Sequence, residues 1–177
     1  MFCAKWKSLH MLDNLILIGM PGAGKSTVGV VLAKKLGMRF VDSDLVIQEQ
    51  AGRLLHRIIE EDGLEGFLEL EDRVNRELLV HNSVVATGGS AVYGTKAMNH
   101  FKTLGRVVYL KLPLAEVAER LGDLKERGVA MRPEQTLADL YEERVRLYEQ
   151  YADETVDCEG KMLREIVEEL TEYVFAG

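Results

Sequence analysis

Apolar residues occur along the chain in two patterns: short unbroken runs, and longer segments in which they recur every three or four positions. The runs predict strands of a parallel sheet, because strands buried on both faces are apolar throughout. Strands are predicted at residues 15–18, 39–41, 84–87 and 107–110, with a fifth at 154–157. Helices are predicted at about 28–36, 96–104, 136–151 and 162–174, and after Pro113. This alternation predicts one α/β domain with helices on both faces of the sheet.

Residues 45–80 are charged and helical in period, and they predict several helices rather than one. The pattern breaks near Gly52 and Gly63. On one helix the spacing places five residues in a common neighbourhood; they are Leu64, Phe67, Leu68, Glu71 and Asp72.

The periodicity fails between about residues 122 and 134, where the chain carries Lys125, Arg127 and Arg132. A basic segment without regular structure, flanked by predicted helices, is typical of a mobile lid.

A glycine-rich segment at residues 19–27 fits the pattern G-x-x-x-x-G-K-[ST] and lies between the first predicted strand and the first predicted helix. Such a loop binds phosphate groups with its backbone N–H groups and with the N-terminus of the helix that follows. Lys25 can reach the outer phosphates of a nucleotide, and the Ser26 hydroxyl can ligate Mg²⁺. The residues predicted to bind ATP here are Gly22, Ala23, Gly24, Lys25, Ser26 and Thr27.

Two further segments with polar or glycine residues follow predicted strands. Asp42-Ser43-Asp44 follows the second strand, and Gly88-Gly89-Ser90 follows the third. Open α/β sheets bind ligands at the carboxyl ends of their strands, so these segments are candidates for the same site. Two alternatives remain: the carboxylates can cap the next helix, and the glycines can form a plain turn.

Composition narrows the class of protein. With 177 residues the chain suits one domain, and its formal net charge of −7 argues against a general binder of nucleic acid or anionic membrane. Cys3 and Cys158 show no metal-binding or redox spacing, which favours a reducing, cytoplasmic setting. Residues 1–13 are predicted to be an extension before a single domain at 14–177, which we expect to be monomeric.

Taken together, these motifs resemble those of the shikimate kinases, P-loop enzymes that phosphorylate a hydroxyl of shikimate with ATP. The similarity runs from about residue 15 to the C-terminus. The segments that carry it are residues 19–27, Asp42-Ser43-Asp44, Thr87-Gly88-Gly89, Arg132-Pro133, and Arg144 with Leu147-Tyr148. The resemblance implies a P-loop kinase fold similar to the nucleoside monophosphate kinases, with a five-stranded parallel sheet, an acceptor-binding helical segment at about 43–80, and a lid.

The resemblance also implies roles for individual residues. Asp44 would contact the acceptor hydroxyls and serve as general base, since the acceptor loses a proton as it attacks. Asp42 would hold Mg²⁺ through water, and Arg132 would move in with the lid to neutralise the transferred phosphoryl group. Arg127 of the lid is assigned to the nucleotide. The acceptor, a hydroxylated acid, would contact Asp44, Phe67, Gly88, Gly89 and Arg144, with Arg144 holding its carboxylate.

Two positions depart from the family pattern. Leu68 follows Phe67 where the family has a second arginine for the carboxylate, and Ser90 replaces the third glycine of a triple-glycine loop. Losing one partner of a desolvated carboxylate costs about 2–5 kcal/mol. Arg57 is a possible substitute cation, although a helix arginine that faces solvent is the simpler interpretation.

Two other functions therefore stay open beside shikimate phosphorylation. The chain could be a kinase for a different hydroxy acid, such as homoserine or a sugar acid. It could also be a nucleotide-binding module without catalysis, although Lys25, Ser26, Asp44 and Arg132 together favour an enzyme.

Overall fold

The structure is a computed structural model that describes residues 14–122 and 129–176. Its sheet has five strands, all parallel, in the order β2-β3-β1-β4-β5. The strands are β1 (Asn14–Ile18), β2 (Arg39–Asp42), β3 (Ser83–Ala86), β4 (Arg106–Lys111) and β5 (Glu154–Asp157). The helices are α1 (Lys25–Leu36), α2 (Ser43–Ala51), α3 (Leu55–Arg76), α4 (Thr95–Leu104), α5 (Leu114–Leu121), α6 (Leu137–Tyr151) and α7 (Leu163–Ala176), with a 3₁₀ turn at Ala91–Tyr93. The predicted α/β fold is confirmed. Within the described ranges, no helix is both long and apolar enough to cross a membrane.

Strand β1 forms the centre of the sheet, and all five of its residues are buried. Asn14 fixes its start: the side-chain amide donates to the carbonyls of Val80 and Leu104, and its oxygen accepts from the Ser83 N–H. A Cβ on Gly105 would overlap the Asn14 carbonyl, so only glycine fits between these strands. Asn14 thus holds β1 between β3 and β4 in register, and this aligns the three carboxyl ends.

The segment after β2 has its own small core. Helix α2 ends at Gly52 (φ 63°), and α3 is kinked at Gly63 (φ 75°), as the sequence predicted. Both glycines adopt a left-handed backbone, which other residues rarely do. The buried residues of this second cluster are Ile47, Ile58, Phe67, Val74 and Ala130. Because Ala130 lies within the predicted lid at about 122–134, the predicted acceptor-binding segment packs against the described C-terminal part of that lid.

The carboxyl ends of β1, β2 and β3 lead into three segments at one edge of the sheet. These are residues 19–24, the first turn of α2, and residues 87–90. Helix α6, which carries Arg144, begins at a capping box formed by Thr136 and Asp139. The proposed extension at 1–13 and residues 123–128 of the proposed lid lie outside the described residues.

Candidate active site

The phosphate-binding loop has the backbone that its glycines predict. Gly22 and Gly24 adopt φ values of 82° and 88°, and Gly24 is the N-cap of α1. No described side chain caps this helix, and its first turn contains no acidic residue. The first N–H groups of α1 are therefore available to an anion, which the helix dipole also favours.

Lys25 lies inside this loop with its side chain buried. Its Nζ donates to the carbonyl oxygens of Gly19 at 2.7 Å and Met20 at 2.9 Å. Burial lowers the pKa of Lys25 to about 8, although the nearby Asp44 carboxylate opposes the shift. Because the ammonium is desolvated, a phosphate group at the loop would be a strong partner for it.

Ser26 and Asp42 join the loop to the end of β2. The Ser26 hydroxyl donates to Asp42 Oδ2 at 2.7 Å, while Asp42 Oδ1 accepts from the Asp44 N–H at 3.0 Å. Asp42 therefore caps α2 and also contacts the loop through Ser26, so the cap is confirmed and the predicted role toward Mg²⁺ stays a prediction. Hydroxyl and carboxylate oxygens are ligands that Mg²⁺ prefers. The described residues contain no group of three acidic, histidine or cysteine side chains that could hold a metal. An ion here would accordingly complete its shell with phosphates and water.

Asp44 is the second residue of α2, and it lines the same cavity as the phosphate-binding loop. Its Oδ1 is buried and has no hydrogen-bond partner within the described chain. Burial is the main reason that the pKa of Asp44 is raised to about 6; Asp42 adds to the rise and Lys25 opposes it. At neutral pH the carboxylate is still ionised and is more basic than an ordinary aspartate, as a general base requires.

Arg144 forms the opposite wall from α6, and only 1% of its surface is exposed. Its Nη2 donates to the Ala130 carbonyl, and its Nε donates to the Tyr93 hydroxyl at 3.4 Å. The guanidinium also lies 5.4 Å from the centre of the Tyr93 ring. These contacts fix the orientation of a buried cation that has no carboxylate partner among the described residues, so it can pair with an anionic ligand.

The two glycines after β3 are required by close packing. A Cβ on Gly88 would lie 2.6 Å from both Asp44 Oδ1 and Glu71 Oε1. A Cβ on Gly89 would lie 2.5 Å from Pro21 Cδ and 3.0 Å from Arg144 Nη1. A plain turn does not by itself explain why both positions are glycine. A side chain at Gly88 would collide with Asp44 and Glu71, and one at Gly89 would collide with Pro21 of the phosphate-binding loop and with Arg144.

One cavity of about 400 Å³ joins the phosphate-binding loop to Asp44 and Arg144. Among the predicted site residues, the following line it: Gly22, Gly24, Lys25, Ser26, Thr27, Asp44, Phe67, Gly88, Gly89 and Arg144. Ala23 is buried within the loop, and Asp42 contacts the cavity through Ser26. Ser90 also lines the cavity.

Two of the predicted or suggested residues, Arg132 and Arg57, do not line the cavity. The Arg132 side chain is 66% exposed and is 3.6 Å from Glu143, so its movement toward the phosphoryl group stays a prediction. Arg127 lies outside the described residues. Arg57 faces solvent and pairs with Glu60, which removes it as a substitute cation in this conformation.

Leu68 is not one of the described residues that line the cavity. It packs with the second apolar cluster, and Leu55 of the same cluster lines the cavity together with Phe67. Leu68 therefore does not form the cavity wall together with Phe67. Leu55 begins α3, and its position depends on the kink at Gly63, which helical spacing alone does not give.

Glu71 is a buried acidic residue beside Gly88 that the sequence analysis did not assign to the site. It is 1% exposed, and its Oε1 has no partner among the described residues. Burial is the largest cause that raises its pKa to about 8. The available signal was its position four residues after Phe67, on the same face of α3.

Comparison with known proteins agrees with this geometry. The model of the shikimate kinase family matches residues 21–175. The shikimate kinase of Persephonella marina is 39% identical over 160 residues, which cover 90% of this chain and 97% of that protein. The solved structure of Acinetobacter baumannii shikimate kinase in complex with shikimate is 34% identical, with a TM-score of 0.87 over 96% of this chain and 97% of that one. Aquifex aeolicus shikimate kinase is 31% identical, with a TM-score of 0.72 over 90% of this chain and 94% of that one. The chain belongs to the shikimate kinase family.

Proposed function

We propose that this protein transfers the γ-phosphoryl group of ATP to a hydroxyl of shikimate, as a step in aromatic amino acid biosynthesis. The observation that carries the proposal is the single cavity in which the phosphate-binding loop, the Asp44 carboxylate and the Arg144 guanidinium meet. Family membership and the shikimate-bound relative support the choice of acceptor.

In the reaction, Asp44 accepts the proton of the acceptor hydroxyl as its oxygen bonds to the γ-phosphorus. The bond between that phosphorus and the bridging oxygen of ADP breaks in the same transfer. Lys25 stabilises the charge that develops on the phosphate oxygens, because its ammonium is already desolvated in the loop. Arg144 holds the acceptor carboxylate and so aligns the hydroxyl with Asp44. Arg132 is proposed to reach the phosphoryl group after the lid moves.

We infer that the metal ion is Mg²⁺, held by Ser26 directly and by Asp42 through water. The hydrogen bond between Ser26 and Asp42 supports this pairing, since both oxygens already meet beside the loop. When bound, the ion neutralises charge on the nucleotide phosphates.

We also infer that the protein acts as a cytoplasmic monomer. For the monomer, the support is that the phosphate-binding loop, Asp44 and Arg144 of one chain already meet in one cavity. Support for the cytoplasm is the sequence separation of its two cysteines and the burial of Cys158 as a free thiol.

A second acceptor is favoured by one observation, the leucine at position 68 where the family has a carboxylate-binding arginine. The test is an ADP-release assay of the purified protein over shikimate, homoserine, gluconate and related hydroxy acids. The proposal expects efficient turnover of shikimate that Arg144→Ala abolishes. Turnover of another acid in place of shikimate would reassign the acceptor, and ATP binding without turnover on any of them would indicate the non-catalytic module.

A further inference from the structure

Arg144 is a buried cation whose position is set by uncharged groups. Its Nε donates to the Tyr93 hydroxyl at 3.4 Å, and its Nη2 donates to the Ala130 carbonyl. The preceding residue, Glu143, is engaged elsewhere, since its carboxylate accepts from the Gln135 amide at 3.0 Å. A carboxylate partner would compete with an anionic ligand, whereas a hydroxyl and a carbonyl orient the guanidinium and leave its charge uncompensated.

The two contacts of Arg144 determine which edge of its guanidinium stays free. A guanidinium has five N–H groups in a fixed plane, and Tyr93 and Ala130 take one on Nε and one on Nη2. Nη1 has no acceptor among the described residues, and it lies 3.0 Å from the point that a Gly89 Cβ would occupy. Because Gly89 lines the cavity, the Nη1 edge is the one that a carboxylate in the cavity can reach.

The Tyr93 ring makes a second contact with the same guanidinium. Its centre lies 5.4 Å from Arg144 Cζ, which is within the range of a cation–π interaction. A hydrogen bond of 3.4 Å is long and weak, so the ring is the stronger of the two contacts. Tyr93 is half-buried and is not one of the described residues that line the cavity. Its route to a ligand in the cavity is therefore through Arg144.

The backbone that carries Tyr93 is fixed. In the 3₁₀ turn, the Tyr93 N–H donates to the Ser90 carbonyl at 3.0 Å, and the Gly94 N–H donates to the Ala91 carbonyl at 3.1 Å. A Cβ on Gly94 would lie 2.5 Å from Asp72 Oδ1, so the turn packs directly on α3. Because the turn follows the loop that lines the cavity, the tyrosine has a fixed place relative to that cavity.

We propose that Tyr93 is a positioning residue for the acceptor: its ring and hydroxyl hold the Nε side of Arg144, so that the Nη1 edge faces the acceptor carboxylate. This inference rests on the proposed function, because it concerns how Arg144 receives the acid. Without Tyr93 the guanidinium can turn about its side-chain bonds, and the carboxylate must itself fix the orientation of the cation. The cost of that ordering appears as weaker binding of the acceptor.

The first test is steady-state kinetics with shikimate and ATP. Tyr93→Leu removes the ring and the hydroxyl, and it should raise the KM for shikimate about tenfold, within the range of a partly desolvated cation–π contact. Tyr93→Phe keeps the ring and should raise this KM only about two- to threefold. The KM for ATP should stay within about twofold of wild type in both variants, because other contacts hold Lys25 and Ser26.

The matched control is Tyr141→Leu. Tyr141 is also a half-buried tyrosine, it lies on α6, and its hydroxyl donates to the Leu112 carbonyl at 3.0 Å. It is not one of the described residues that line the cavity, so this variant should lose stability and keep the wild-type KM for shikimate. An unchanged KM for shikimate in Tyr93→Leu would overturn the proposal. So would equal rises in the two KM values, or the same rise in Tyr141→Leu.

The second test uses the free protein and needs no acceptor, so it stands even if shikimate is not the substrate. In a held guanidinium, Nη1 and Nη2 give separate nitrogen NMR signals, and in a freely turning one the two signals average. The Arg144 signals are identified by their absence from Arg144→Lys. They should be separate in the wild type and in Tyr141→Leu, and they should average or exchange at least about tenfold faster in Tyr93→Leu.

Averaged signals in the wild type, or an unchanged exchange rate in Tyr93→Leu, would show that Tyr93 does not hold the guanidinium, and the proposal would then be wrong. Separate signals in the wild type that average in Tyr93→Leu, together with no turnover of shikimate, would instead contradict only the proposed function.

Discussion

The Tyr148 hydroxyl donates a 2.6 Å hydrogen bond to the Gly89 carbonyl, one helical turn beyond Arg144 on α6. Tyr148 is completely buried and stacks on Tyr109 of β4 with ring centres 5.0 Å apart. The contact ties the loop after β3 to α6, the helix that carries Arg144. The spacing between Asp44 and Arg144 therefore depends on a residue that does not line the cavity.

Tyr148→Phe tests this coupling, since it removes the hydroxyl and keeps the ring. We expect a loss of about 1 kcal/mol in the free energy of unfolding, the usual net value of one buried hydrogen bond. The KM for shikimate should rise more than the KM for ATP, because the loop that moves belongs to the acceptor side. Denaturant unfolding and steady-state kinetics measure both. Equal changes in the two KM values would show that the contact serves only general stability.

Gly88→Ala should disrupt the site without a large effect on the sheet. The added methyl would lie 2.6 Å from oxygens of both Asp44 and Glu71, so one or both carboxyls must move. If Asp44 is the general base, as proposed, its displacement by about 1 Å can lower kcat on the order of 10²-fold. Gly66→Ala on α3 is the matched control, because its methyl would meet only the Asp62 side chain at 3.0 Å. Comparable kcat values in the two variants would contradict the packing role of Gly88.

Much of the fold was predictable because its signals are local. The strand at Glu154–Asp157, the helix end at Gly37 and the interruptions at Gly52 and Gly63 follow from short segments of sequence. The phosphate loop was predictable for the same reason, since its glycines, Lys25 and Ser26 are contiguous.

The unpredicted parts depend on contacts between distant segments. Tyr93 meets Arg144 across 51 positions, and Tyr148 meets Gly89 across 59. Glu71 reads in sequence as one more charged residue on a helix, and only the fold shows that its face is buried against Gly88. The order of the strands also follows from packing of the helices, which a one-dimensional pattern does not contain.

Lys25→Met should remove most phosphoryl transfer while the protein stays folded. Methionine keeps much of the side-chain length but not the charge, and losing one such stabilising group costs on the order of 10²–10³-fold in kcat. Circular dichroism and the ADP-release assay separate folding from activity. Unchanged turnover would contradict the assigned role of Lys25.

The same substitution has a stability consequence whose sign follows from the pKa of Lys25. The folded state lowers that pKa from 10.5 to about 8, so between these values the unfolded chain binds more protons. The Lys25 contribution to the free energy of unfolding therefore increases as pH rises from about 8 to 10.5. Lys25→Met should lack this increase. A variant that follows the wild-type dependence over this range would show that the ammonium is not desolvated in the ligand-free protein.

Leu68→Arg addresses the acceptor itself. Leu68 is partly buried in the apolar cluster around Phe67, so a guanidinium there costs packing, and we expect a loss of about 1–2 kcal/mol in stability. The prediction requires the longer arginine side chain to reach the cavity that Phe67 lines. If shikimate is the acceptor, its carboxylate gains a second cation beside Arg144, and kcat/KM for shikimate should rise. Leu68→Met is the matched control, because it conserves volume and adds no charge.

The two possible acceptors give opposite results in this variant. An acceptor other than shikimate would meet an unmatched charge at the cavity, so its turnover should be unchanged or lower. The measurement is kcat/KM for shikimate and for the best alternative acid, in wild type, Leu68→Arg and Leu68→Met. Efficient turnover of shikimate by the wild type, abolished by Arg144→Ala and unaffected by Leu68→Arg, would show that position 68 does not determine acceptor affinity. Arg144, Asp44 and the loop at Gly88 would then be sufficient for recognition of the acceptor.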